Sequence, residues 1–166
     1  AHSEDNRGDI DQKTNFTIMH IGADYRYTKD LIIGLMGQFD WLDEKSAGLN
    51  VEAKGHGWMV GPYIVTRLHD NLIFDLRGTA GRSDNKINPL GSYWDDFETE
   101  RWQIESNLTG NFEHENWHIS PSVGIIYFEE TQFAYTDTNG YDIGEQTNSL
   151  GTINFGPMIN YTFNTK

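Results

Sequence analysis

Cysteine is absent from the 166 residues. That excludes disulfide scaffolds, thiol catalysis and cysteine-ligated zinc together. Basic residues are scarce: 12 Lys plus Arg stand against 25 Asp plus Glu, a formal charge of −13. Such a balance cannot neutralise a row of phosphates, so a nucleic-acid partner is excluded. No apolar run reaches the roughly 18 residues that would mark a transmembrane helix. The opening Ala1-His2-Ser3-Glu4-Asp5 has neither a basic nor an apolar signal region, so no signal peptide is expected within it. Proline is limited to 4 residues, whereas glycine reaches 17 and the aromatics 9 Phe, 8 Tyr and 5 Trp. That aromatic content is incompatible with a disordered chain. The length fits a single domain, and the profile is that of an aromatic, glycine-punctuated, all-β chain.

Read with period 2, the chain separates into seven alternating segments: Phe16 to Tyr27, Leu31 to Leu42, Gly57 to Leu68, Leu72 to Gly81, Phe97 to Phe112, Trp117 to Glu130 and Ser149 to Phe163. In the second, Leu31, Ile33, Leu35, Phe39 and Trp41 fall on one face, with Gln38 and Asp40 on the other. No segment has a helical period, and none stays apolar long enough for a buried parallel strand. The expected fold is an antiparallel up-and-down meander, forming a transmembrane β-barrel or part of one. Two features favour the membrane over a soluble sandwich or lipocalin-like barrel. The segments match the roughly 9 to 11 tilted residues that cross a bilayer, where soluble strands usually run about five or six. The polar faces also carry charge of both signs, which suits a water-filled or polar-plugged interior. The expected lumen-facing residues are Asp24, Arg26, Asp40, Arg67, Asp75, Arg77, Glu105, His118 and Asn154. Trp41, Trp58, Trp102, Trp117, Tyr127 and Phe163 near the apolar-face ends are expected to form interfacial girdles.

Connections alternate in length. Short ones are Thr28 to Asp30, His69 to Asn71 and Glu113 to Asn116; long ones are Asp43 to His56, Arg82 to Asp96 and Thr131 to Asn148. Outer-membrane barrels place short turns in the periplasm and long loops outside, which makes the first segment descend from the exterior. Residues 1–14, acidic and poorly alternating, read as a loop or disordered segment ahead of a barrel segment over 15–166. Seven is odd where bacterial single-chain barrels are even, so the chain reads as a piece of a larger barrel.

The stretch Ile21-Gly22-Ala23-Asp24-Tyr25-Arg26-Tyr27, then Asp30 through Gly37, resembles the autotransporter β-domain of Gram-negative type V secretion. Gly55-His56-Gly57-Trp58-Met59-Val60-Gly61-Pro62-Tyr63, Phe97 through Trp102, Leu108-Thr109-Gly110, Ser120 through Val123 and Gly151 to Pro157 repeat the likeness in order. It covers nearly all of Asn15 to Tyr161. The resemblance implies a translocator of the outer membrane, usually a twelve-stranded barrel, that anchors a secreted passenger and is crossed by a linker. It implies no catalysis, no cofactor, and as partners the outer-membrane lipid, a passenger or linker segment, and the barrel-assembly machinery. About five strands of such a barrel are not in the chain, so completion by other strands or by self-association is expected. The closing Asn154, Gly156, Ile159, Tyr161 and Phe163 fit a barrel-assembly signal. A stand-alone outer-membrane barrel with binding or enzymatic loops, and a soluble ligand-binding barrel, are the competing readings.

Three constellations invite chemistry. His114 and His118 flank Glu115 with Glu113 before them, but their i, i+4 spacing falls on a turn and a strand start rather than on a zinc-binding helix. Asp24, Asp75, Arg77 and Glu105 suggest an acid–base cluster, against which a lumen charge ladder is the favoured reading. Asp137 and Asp142 flank the turn-forming Asn139-Gly140. They lack the ligand series of a calcium loop and read as an exposed loop tip. No G-x-S-x-G elbow accompanies Ser83, Ser106, Ser120 or Ser122.

Overall fold

A computed structural model describes residues 2–5, 12–46, 50–89 and 91–163. All seven alternating segments are long strands. In chain order the elements are β1 (His2–Asp5), β2 (Gln12–Arg26), β3 (Leu31–Ser46), β4 (Val51–His69), β5 (Leu72–Asn88), β6 (Asp95–Gly110), β7 (Phe112–His114), β8 (Trp117–Gln132), β9 (Tyr135–Thr136), β10 (Asp142–Ile143) and β11 (Gln146–Tyr161). They form one antiparallel sheet in the order β1-β2-β3-β4-β5-β6-β8-β11, with β7 beside β8 and a separate two-stranded hairpin of β9 and β10. Neighbours in the sheet are neighbours in sequence, as an up-and-down meander requires. Of residues 1–14, His2–Asp5 pair with Asn15 through Gln12.

The strands run well past the ends expected from alternation. Much of the expected long connections 43–56, 82–96 and 131–148 is strand. The apolar signal stops there because cross-strand charge pairs take over as the side-chain partners: Lys45 with Glu52 at 3.5 Å, His56 with Asp84 at 3.4 Å and Lys86 with Asp96 at 3.0 Å. Backbone pairing continues unbroken beneath them.

Register decides which side chains share a face. Asp40 is opposite Gly57, Gly57 opposite Ser83, and Ser83 opposite Thr99. Alternation from that row puts the polar set on one face and the apolar set on the other. Among the described residues nothing covers the apolar face: Leu35 is 62% exposed, Ile153 70% and Phe155 85%. Among the described residues Met59 is the one buried apolar side chain, at 2% exposure, and it sits on the polar face. The molecule is therefore a single curved layer whose hydrophobic surface points outward.

On that outward face the apolar stretch is about ten residues long on each strand, the length that tilted strands need to cross hydrocarbon. Trp41 is opposite His56, Trp58 opposite Arg82, Ala80 opposite Trp102, and Trp102 opposite Glu129. Trp41, Trp58, Trp102 and Tyr127 thus step two residues nearer the short turns from one aromatic-bearing strand to the next. A level line runs obliquely across the register in this way when strands tilt in a barrel. At the opposite end Trp117 packs on Tyr161 with ring centroids 4.8 Å apart, and Tyr161 on Phe163 at 4.8 Å.

Curvature requires β4 and β5 to approach closely. A Cβ built on Gly61 would lie 1.8 Å from the Gly78 carbonyl oxygen, and one on Gly81 would lie 1.8 Å from that of Trp58. Backbone cannot yield as a side chain can. Gly61→Val is expected to cost about 3 kcal/mol or more, read as loss of the fast-running unheated band in SDS-PAGE. Gly156→Val, with nothing within 4 Å of its Cβ position, is expected to keep that band.

Candidate functional site

Among the described residues, side chains of distant strands converge on the polar face. Asp40 on β3 and Arg101 on β6 are separated by two intervening strands, roughly 14 Å apart in a flat sheet. Yet Arg101 Nη1 donates to Asp40 Oδ2 at 3.1 Å and Nη2 to Oδ1 at 2.5 Å, with both side chains 10% exposed. Only a sheet bent around its polar face lets these groups meet, so that face is concave. Gly57, in the row between them, supplies the passage: a Cβ there would lie 2.3 Å from Arg101 Nη2.

A similar crossing stands nearer the short turns. Tyr63 on β4 lays its ring over Gly34 on β3, where a Cβ would be 2.5 Å from the ring carbon Cζ. Its hydroxyl donates to Asp24 Oδ2 on β2 at 2.7 Å. Beside the Arg101 pair lies a chain of hydroxyl, amide and carboxylate groups. Asn85 Nδ2 donates to Ser83 Oγ at 2.8 Å, Ser83 and Thr99 hydroxyls share a 2.7 Å bond, and Thr99 Oγ1 donates to Glu130 Oε1 at 2.6 Å. Further along, Arg77 is 3.2 Å from Glu105 and 3.9 Å from Asp75. Asn107 Nδ2 donates to Asp75 Oδ1 at 3.1 Å.

Register places Asp24, Arg26, Asp40, Arg67, Asp75, Arg77, Glu105, His118 and Asn154 all on this concave face. Asp75, Arg77 and Glu105 come together as one ion-pair group. Asp24 does not join them and is held by Tyr63. His118, at the short-turn end, bonds Ser120 at 3.1 Å and faces Glu113 at 3.4 Å. Arg26, Arg67 and Asn154 stand apart from these groups. Trp41, Trp58, Trp102, Trp117 and Tyr127 lie on the convex face, and Phe163 follows β11 there against Tyr161. Sequence patterning missed Arg101, Ser83, Thr99 and Glu130 as members of the site. Arg101 has the same parity as Gln103 and Glu105, a signal available in the sequence, but its partner lies 61 residues away.

At the long-loop end, Leu42, Gly55, Asn85 and Phe97 form one inner register row. They floor a recess of about 890 Å3 that Phe133, Ala134 and Tyr135 help to close. A second recess of about 430 Å3 lies beside Gly22, Met36, Tyr63 and Arg77. Asp137 Oδ1 accepts from the backbone N–H of Asn139 at 2.9 Å and of Tyr141 at 2.7 Å. That carboxylate is thus committed to its own turn. Burial, then the Asp95 and Asp137 carboxylates and Tyr93, push the Tyr135 phenol above its ordinary value, so the ring is neutral where it meets its neighbours.

Arg101 illustrates what the face demands. Removing one partner of a buried ion pair leaves an uncompensated charge. Arg101→Ala is expected to destabilise the fold by about 3–5 kcal/mol, measured as a lower urea midpoint in micelles. The double variant Asp40→Leu/Arg101→Met is expected to recover most of that loss.

Comparison with known proteins agrees with this architecture. The autotransporter beta-domain family profile matches residues 1–166. No curated protein matches the chain by sequence. Among solved structures the chain is similar to the beta domain of the Bordetella autotransporter BrkA, with TM-score 0.72 and 17% identity over 92% of this chain and 63% of that one. It is also similar to the translocator domain of NalP from Neisseria meningitidis, with TM-score 0.68 and 12% identity over 90% and 55% of the two chains. For the transport unit of AIDA-I from Escherichia coli the TM-score is 0.63, with 13% identity over 92% and 59%. The chain thus spans 55% to 63% of the length of these three proteins. Its convex apolar face, its concave polar face and the family match lead to one assignment: the chain belongs to the autotransporter β-domain family of the Gram-negative outer membrane.

Proposed function

We propose that this chain contributes the wall of a secretion pore that anchors a passenger and lets its linker cross the outer membrane. The observation that carries the reading is the inversion of the usual burial pattern: charges and amides face a concave interior while large apolar groups face outward. In this reading the concave-face residues from Asp24 to Asn154 line the lumen. Trp41, Trp58, Trp102 and Tyr127 form the girdle at the long-loop end, and Trp117 and Phe163 the one at the short-turn end. The role is transport with no catalysis of its own, since the carboxylates of the face are engaged by Tyr63, Arg77, Arg101 and Thr99. The barrel-assembly machinery is the partner expected to receive β11. Open sheet edges are not tolerated in hydrocarbon, so further strands close the barrel, from the same translocator or by self-association.

Two measurements test the reading. In the full-length protein, deletion of 15–166 is expected to abolish surface display of the passenger, scored by protease accessibility on intact cells; display that persists overturns the reading. Leu35→Arg on the convex face is expected to cost about 2–4 kcal/mol of folding stability in vesicles. Asn154→Arg on the concave face is expected to remain within about 0.5 kcal/mol of the parent.

A further inference from the structure

Residues 133–145 leave the sheet between Gln132 and Gln146, which are paired with each other. The excursion therefore begins and ends at one point of the rim. It is braced internally: β9 pairs with β10, Thr136 Oγ1 donates to Asp142 at 2.9 Å, and the Asp137 carboxylate caps its own turn. Such a segment holds its own shape between its two ends. It does not project away from the rim. Phe133 N–H donates to the Glu98 carbonyl at 3.0 Å. Thr138 N–H donates to Asp95 Oδ1 at 2.8 Å, and its hydroxyl to the Trp94 carbonyl at 2.8 Å. Tyr135 stacks on Phe97 with ring centroids 5.6 Å apart and planes 22° from parallel.

The side of the sheet on which this happens matters. Phe97 has the parity of Thr99 and Arg101 and so belongs to the concave face, in the row of Leu42, Gly55 and Asn85. Through Tyr135 on Phe97 and Thr138 on Asp95 the segment thus leans toward the concave side, and its Phe133, Ala134 and Tyr135 help to line the recess of about 890 Å3 together with inner Leu42, Gly55, Asn85 and Phe97 and outer Trp41 and His56. These contacts all run to residues 94–98, the end of a single strand. They are one stacked pair and a few hydrogen bonds, each of which contributes little on its own.

We propose that residues 133–145 form a strap across the exterior mouth of the pore, pinned by Tyr135 on Phe97 and by Thr138 on residues 94–95, and that it must swing off β6 before a polypeptide can pass. The inference rests on the secretion-pore reading and adds to it a closed and an open state of the mouth.

The absence of cysteine from these 166 residues makes a thiol test specific. Phe97→Cys/Tyr135→Cys is introduced into the full translocator, bridged by a short bis-maleimide, and studied by single-channel conductance in planar bilayers. Bridging is expected to hold conductance at the closed level, while the same protein capped with a monofunctional maleimide opens. Tyr135→Ala is expected to raise the open population roughly two- to ten-fold. Equal conductance of bridged and capped protein overturns the strap and leaves the pore reading intact. Absence of any conductance in the capped protein overturns the pore reading, and the strap with it. Should the first pair not yield the heat-modifiable folded band, Asp95→Cys/Thr138→Cys bridges the second pin and decides between the same outcomes.

Discussion

Hydrocarbon offers no hydrogen bonds, and every other feature of this chain follows from that constraint. A backbone N–H or C=O left unpaired in lipid costs several kcal/mol. Strand must therefore be hydrogen-bonded to strand continuously through the apolar zone, and the meander does this with the least chain. Each long strand inside the sheet is paired along nearly its whole length with its sequence neighbours. Once pairing fixes the backbone, side chains alternate, and the solvent on each side selects what they are. The usual hydrophobic core has no place in such an object. Its apolar partner is the lipid, which is why only Met59 is buried among the apolar side chains described.

The concave face has the opposite problem. It collects charge in a confined space, and that charge is held by partners on the same face. Arg101 with Asp40, Arg77 with Glu105, and Tyr63 with Asp24 each link different strands. Two of these links pass over a glycine, Gly57 and Gly34, because the crossing side chain occupies the space a Cβ would take. The polar groups thus act as struts that hold curvature.

Beyond the apolar belt the physics changes again. Strands that leave the hydrocarbon need no apolar face, and they continue as ribbons laced by Lys45–Glu52, His56–Asp84, Arg82–Glu100 and Lys86–Asp96 pairs. Such exposed pairs contribute little individually, so this end relies on backbone pairing and on aromatic contacts such as Lys54 over Trp94.

Sequence alone determined the membrane-facing half of this protein. Period-2 alternation identified all seven long strands, their order and their two faces, because lipid selects strongly and locally at every second position. It separated Leu35 from Asp40 and Trp58 from Tyr63, and the run from Gly55 to Tyr63 carried the family resemblance. It could not find strand ends such as Ser46 or Asn88, since the selecting solvent changes there while the backbone pairing does not. Nor could it join Arg101 to Asp40 or Tyr135 to Phe97. Those contacts depend on the bend of the sheet and the inward fold of one connection, and only the tertiary structure decided them, because curvature is a property of many strands together and no local pattern encodes which distant side chains it brings within reach.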